Sequence, residues 1–191
     1  MSDDRVATRP EATAEGRSAP SPVRVRRATA ADAAAVAEIY NQGILARTAT
    51  FDTELRTEAD RRAIIDSGDA RHPVLVAELE GRVVGWASIA AYRQRACYRG
   101  VGEVSLYVDA AHRGRGVGRR LMQALVDEAR RLGYWKILSR LFPENAASRA
   151  MCRAAGFREV GVYEKHAQLD GKWRDVIIVE RLIPENQTSN A

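Results

Sequence analysis

The alternating run Val104-Ser105-Leu106-Tyr107-Val108 leads into Arg113-Gly114-Arg115-Gly116-Val117-Gly118. An amphipathic stretch then carries Leu121, Met122, Leu125, Val126 and Ala129. A strand, a glycine turn and a helix in that order demand a layered fold, because the strand and the helix stripe must bury their apolar faces against each other. Glycines let the backbone approach a ligand without a Cβ clash. The N–H groups of the following helical turn have no partner within the helix and favour negative charge. Arg113, Arg115, Arg119 and Arg120 surround the turn, while the nearest acids in the helix, Asp127 and Glu128, come more than a turn later. A pyrophosphate suits that place; the alternatives are a plain connecting turn and a solvated arginine cluster. Spacing excludes a dinucleotide fingerprint, because Gly114, Gly116 and Gly118 alternate and Arg119 comes next. No Gly-Lys-Ser/Thr follows, so it is not a Walker loop.

The rest of the chain reads as strands and helices in alternation. Val23 to Arg27 is a short strand, and Thr29 caps a helix through Asp32, Val36, Ile39, Tyr40 and Ile44. After a loop from Arg47 to Arg56, the Thr57-x-x-Asp60 spacing starts a second helix that ends near Gly68. Val74 to Leu79 and Val83 to Ala90 form a hairpin about Glu80-Gly81-Arg82. The strand Glu103 to Asp109 puts Glu103, Ser105 and Tyr107 on one face. A strand at Lys136 to Leu141, a helix from Asn145 to Ala155, and strands Arg158 to Glu164 and Trp173 to Leu182 complete one α/β (α+β) domain on a mixed sheet. Residues 1–22, rich in Pro, Ala and Ser, read as a disordered tail. The domain covers 23–185, and 186–191 form a short C-terminal tail.

Composition bears on partners. The 191 residues hold 30 Lys and Arg against 25 Asp and Glu, and only Lys136, Lys165 and Lys172 are lysines. Without the first 22 residues the balance is 27 basic against 21 acidic, so the surplus belongs to the fold. Guanidinium forks hold phosphates and carboxylates well. No helix-turn-helix, RNP or zinc pattern accompanies them, which argues against nucleic acid. No apolar run is long enough to span a bilayer. Two cysteines, Cys97 and Cys152, with no secretory apolar core, fit a reducing cytoplasm.

The stretch Val108, Asp109, Arg113, Gly114, Gly116, Val117, Gly118 and Leu121 resembles the coenzyme A motif of GCN5-related N-acetyltransferases. Asn145, Ser148, Met151, Gly156 and Phe157 are similar to that family's next motif. The resemblance spans about Val23 to Leu182. It implies a mixed, mostly antiparallel sheet with a splayed strand, acetyl-CoA as cosubstrate, and no metal. Tyr107, Val108, Arg113 to Arg119, Asn145 and Ser148 would then hold the coenzyme. Tyr40-Asn41, Thr50-Phe51, Tyr92-Arg93-x-Arg95-x-x-Tyr98, Glu103 and Gly171-Lys172-Trp173-Arg174 resemble the phosphinothricin and arsinothricin N-acetyltransferases, with sulfone and sulfoximine enzymes close by. That likeness implies a glutamate-like amino acid as substrate, a resistance role, and a homodimer. A protein N-terminus or lysine is the alternative substrate.

An ammonium cannot attack a thioester until a base removes its proton. By resemblance Glu103 is that base, directly or through a water. Its alternative role is a surface pair with Arg99 or Arg95. The Val108 backbone N–H would face the developing oxyanion. Phe51, Tyr92, Arg93, Arg95 and Tyr98 would line the substrate site, with Arg47 and Lys165 as further cationic candidates. Many relatives carry a tyrosine acid just after the Met151 position; this chain has Cys152 there, which also reads as a small core residue.

Overall fold

The computed structural model describes residues 22–67 and 69–187; the expected tail over 1–22 lies outside them except for Pro22, as do Gly68 and residues 188–191. Seven strands make one sheet in the order β1-β2-β3-β4-β5-β7-β6. They are β1 (Arg24–Arg27), β2 (Val74–Leu79), β3 (Arg82–Ala91), β4 (Val101–Val108), β5 (Lys136–Leu141), β6 (Arg158–Leu169) and β7 (Lys172–Leu182). All neighbours run antiparallel except β4 and β5. The helices are α1 (Ala33–Ala46), α2 (Glu58–Asp66), α3 (Val117–Arg131) and α4 (Ala146–Ala154).

Local chemistry accounts for the starts of the helices. A 3-10 turn, Ala30–Asp32, precedes α1, and the Asp32 carboxylate accepts from the Thr29 N–H at 2.7 Å and from both ends of the Arg26 fork. Thr57 and Asp60 form the expected capping box of α2: the Asp60 N–H donates to Thr57 Oγ1 at 3.1 Å and the Thr57 N–H to Asp60 Oδ2 at 2.8 Å.

The apolar stripe of α3 is buried on one face of the sheet. Leu121, Leu125, Val126 and Ala129 are fully buried there with Val84, Val104, Ile137 and Val179. On the other face α1 packs Val36, Ile39, Tyr40 and Ile44 against Val76 and Trp86. Such a two-faced sheet needs apolar residues on both sides, and β2 and β3 read as near-continuous apolar runs for that reason.

Two boundaries differ from expectation. β6 reaches Leu169 rather than Glu164, through a bulge where Lys165 adopts φ 47 and its N–H donates to Asp175 Oδ1 at 2.7 Å. Most of the strand is exposed at the sheet edge, and the bulge breaks the alternation before Ala167 and Leu169 turn inward. Asn186, assigned above to a tail, donates to the backbone oxygens of Arg130 and Tyr134, so ordered chain continues past residue 185.

Candidate active site

The site begins where the two parallel strands part. β4 and β5 pair only at Val101–Lys136, Gly102–Ile137 and Glu103–Leu138. On its other side β4 stays paired with β3, and the Asp109 N–H donates to the Val84 oxygen at 3.0 Å. In an antiparallel ladder bonding direction alternates, so the backbone groups of Val104, Leu106 and Val108 point to the opposite edge, towards β5. Ser139 Oγ takes the Val104 oxygen at 2.8 Å, and Arg113 Nε approaches the Val108 oxygen at 3.5 Å. Beyond Glu103 this edge is thus open to a ligand's amides. A narrow cavity of about 60 Å³ fills the parting, lined by Leu106, Tyr107, Ser139, Asn145, Ser148 and Cys152 among others.

The glycine turn sits at the end of that edge. Gly116 caps α3 at φ 82 and Gly114 adopts φ 75, both in the left-handed region that favours glycine. Lacking a side chain, Gly116 leaves the first-turn N–H groups of α3 free. A Cβ on Gly118 would lie 2.9 Å from Met151 Sδ, so the helix start packs closely against α4. Arg113, Arg115, Arg119 and Arg120 are exposed, and among the described residues no carboxylate pairs with them. Free amides, a helix dipole and four unpaired guanidinium groups suit a pyrophosphate.

Asp109 anchors the turn. Its carboxylate accepts from Gln42 Nε2 at 2.7 Å and contacts His112, while Gln42 Oε1 accepts from the Ala110 N–H at 2.8 Å. The Gln42 bond, then His112, holds the Asp109 carboxyl below the usual range.

Asn145 Oδ1 accepts from the Ser148 N–H at 3.1 Å, an N-cap, and its Nδ2 faces the Thr48 oxygen at 3.4 Å. The loop between α1 and α2 therefore crosses to α4. Phe51 stacks edge-on to Phe142 with centres 4.9 Å apart, Tyr107 donates to the Ala49 oxygen at 3.3 Å, and Arg47 Nε bonds Asp170 at 2.8 Å. These contacts roof the parting strands.

Glu103 lies at the last paired position of β4. Its partner is Arg140 of β5, whose Nε donates to Oε1 at 2.9 Å while Nη2 reaches both oxygens. The expected pairing with Arg99 or Arg95 does not occur: Arg99 stacks 5.8 Å over the Trp135 ring, and Arg95 is exposed. Arg140 was not foreseeable, because a parallel register joins segments with no spacing signal between them.

The other expected substrate residues fall into two groups. Tyr92 and Tyr98 meet edge-on at 5.5 Å with the Arg93 guanidinium 5.2 Å over Tyr92, whereas Phe51 joins Phe142, Leu169 and Val176 instead. Arg47 is committed to Asp170, and Lys165 sits on the β6 bulge. Cys152 is buried in the α3 core, and burial pushes its thiol up to about 11. Among the described residues no cluster of three His, Cys, Asp or Glu side chains could hold a metal, and no helix is long and apolar enough to cross a membrane.

Comparison with known proteins identifies the family. Residues 37–157 fit the Acetyltransferase (GNAT) family. The L-methionine sulfoximine/L-methionine sulfone acetyltransferase of Salmonella typhimurium is 33% identical, over 87% of this chain and 98% of its own. The ribosomal-protein-alanine N-acetyltransferase structure from Brucella melitensis has a TM-score of 0.81 at 34% identity, covering 84% of this chain and 99% of that one. The phosphinothricin acetyltransferase of Sinorhizobium meliloti, solved in complex with acetyl-CoA, has a TM-score of 0.81 at 29% identity, covering 88% of this chain and 95% of its own. With the open β4 edge, the uncapped α3 start and the matched family, this chain belongs to the GNAT family and is an acetyl-CoA-dependent N-acetyltransferase.

Proposed function

We propose that the enzyme acetylates the α-amine of a small glutamate-like amino acid of the phosphinothricin, arsinothricin or methionine sulfoximine kind, and so disarms it. The roofed site carries this reading. A loop tied down at Arg47, Thr48, Ala49 and Phe51 leaves room for a compact substrate more readily than for a protein segment. The Salmonella and Sinorhizobium relatives act, by name, on such amino acids.

In this scheme Glu103, aimed by Arg140, takes a proton from the ammonium, directly or through one water. The freed lone pair forms the C–N bond to the thioester carbonyl, the C–S bond breaks, the electron pair leaves on the sulfur, and the second proton that the new amide nitrogen sheds passes through solvent to the thiolate. The Val108 N–H is the oxyanion donor. Coenzyme phosphates lie against Arg113, Gly114, Arg115, Gly116, Val117, Gly118 and Arg119. The pantetheine arm runs between Tyr107, Asn145 and Ser148. Acetylation removes the amine's charge.

Two further readings belong here. The enzyme works in the cytoplasm, and it is a homodimer. The exposed Val160, Val162, Tyr163 and Trp173 on the β6–β7 hairpin support the dimer, which sedimentation would test.

Thiol release from acetyl-CoA, measured across phosphinothricin, arsinothricin, methionine sulfone, methionine sulfoximine, glutamate and ribosomal-protein peptides, tests the substrate class. The proposal expects kcat/KM to be highest for one of the free toxic amino acids. The Brucella neighbour makes peptides the rival, and higher kcat/KM on a peptide would overturn the amino-acid reading.

A further inference from the structure

Arg61 of α2 stands apart from the other arginines on this face of the sheet. Its Cζ lies 3.9 Å over the Tyr40 ring and 5.6 Å from the centre of Trp86. A guanidinium laid flat on an aromatic ring is fixed in orientation while its N–H edge stays available. Among the described residues none of its guanidinium N–H groups donates a hydrogen bond and no carboxylate lies within ion-pair reach.

Two donors in this cluster are orphaned. Arg61 Nε is sealed from solvent without an acceptor, and so is Trp86 Nε1, on a residue only 4% exposed. Buried donors left unpaired are costly, so two of them in one aromatic cluster point to an acceptor that the protein itself does not supply. Neighbouring arginines are already occupied: Arg47 by Asp170, Arg56 by Asp52 and Arg140 by Glu103. Asp52, whose carboxyl feels the Arg61 charge, is held by Arg56 and by the Tyr40 hydroxyl, and Asp60, which feels it too, is held by Thr57.

Register places this cluster relative to the base. Along β3 and β4 the opposed pairs are Trp86–Tyr107, Ser88–Ser105 and Ala90–Glu103, at alternate positions and so on one face. At ~3.3 Å per residue, the Trp86 level lies ~13 Å along the strand from Glu103, with two serine hydroxyls halfway. An amine at Glu103 keeps its α-carboxylate close to Glu103. Only the far end of a glutamate-length side chain, passing the serines, comes towards the Trp86 level, where the Arg61 guanidinium is stacked.

We propose that Arg61 binds the acid group at the far end of the substrate side chain and thereby selects amino acids with a second negative charge. The inference rests on the amino-acid reading above and adds to it the residue that chooses among such amino acids.

The experiment compares phosphinothricin, which ends in a phosphinate, with methionine sulfone, which ends in an uncharged sulfone. Loss of a charge-assisted bidentate contact should raise the phosphinothricin KM of Arg61→Gln about 10- to 100-fold. The methionine sulfone KM should change less than about threefold, and kcat and the acetyl-CoA KM should hold. Arg61→Lys, which keeps the charge without the planar fork, should fall between the two. An unchanged acetyl-CoA KM shows that each variant is folded. Should wild type acetylate both amino acids and Arg61→Gln slow both equally or neither, the Arg61 assignment falls alone. If wild type turns over neither, the amino-acid reading falls and takes this inference with it.

Discussion

The coenzyme half and the substrate half of this site are built in opposite ways. The coenzyme half is mostly backbone: an open strand edge, two left-handed glycines and an uncapped helix start, contiguous from Val104 to Gly118. The substrate half is side chains carried on β3, β4, β5, α2 and the loop between α1 and α2, joined by contacts such as Glu103–Arg140 and Phe51–Phe142. A backbone site tolerates variation in side chains because its donors are amides, whereas a side-chain site is rebuilt by single substitutions. In the proposed scheme one half fixes which donor is used, and the other decides what is acetylated.

The largest test of this division is Glu103→Gln. If Glu103 is the base, kcat falls by about 10²- to 10⁴-fold. The acetyl-CoA KM stays within about threefold, because the carboxylate belongs to the substrate half. Steady-state kinetics at fixed pH reads both. An unchanged kcat would remove Glu103 from the chemistry and leave it as Arg140's structural partner.

The same division explains what could be read in advance. The strand–glycine–helix succession was legible because one contiguous segment carries it and because glycine alone suits Gly114 and Gly116. The capping box at Thr57 and Asp60 was legible for the same reason. The Glu103–Arg140 pair was not, since it depends on where a parallel strand registers, 37 residues away. In the sequence Arg61 is one charge among several of α2; its stacking on Tyr40, where Arg62 instead pairs with Glu58, is visible only in the structure. The second half of β6 escapes the sequence because a bulge at Lys165 interrupts a mostly exposed edge strand before Ala167 and Leu169 turn inward.

Next in size is Gly116→Val. Nothing lies within 4 Å of a Cβ at this position, so space is not the issue, and the cost comes from φ 82. A left-handed residue with a branched side chain costs about 1–2 kcal/mol. The helix start should shift, raising the acetyl-CoA KM about tenfold and leaving the amino-acid KM unchanged. Equal damage to both constants would show that the halves are not separable.

Asp109→Ala should act more mildly and in the same direction. The carboxylate joins α1 to the coenzyme turn through Gln42, and removing it should cost about 1–2 kcal/mol of stability and raise the acetyl-CoA KM severalfold. Because this carboxyl is held below its ordinary value, its contribution is complete above about pH 4 and fades as pH falls further. Wild type should therefore lose more unfolding free energy than Asp109→Ala as pH drops from about 5 to about 3. Parallel denaturation curves across that range would remove Asp109 from the anchor.

The smallest expected effect is at Cys152, the α4 residue that faces both the cavity and the core. The thiol lines the cavity, yet it is 2% exposed and packed with Leu121 and Met122 in the core. Burial pushes its pKa up to about 11, above the ordinary thiol value of about 8.5. A donor less acidic than the thiol it would create protonates a departing thiolate only uphill, so Cys152 is a poor acid even at close range. Cys152→Ala should keep kcat within about twofold while losing about 1 kcal/mol of stability from the small void. A fall in kcat beyond tenfold, at unchanged acetyl-CoA KM, would instead place a working proton donor on α4 and move that helix from the coenzyme half into the chemistry.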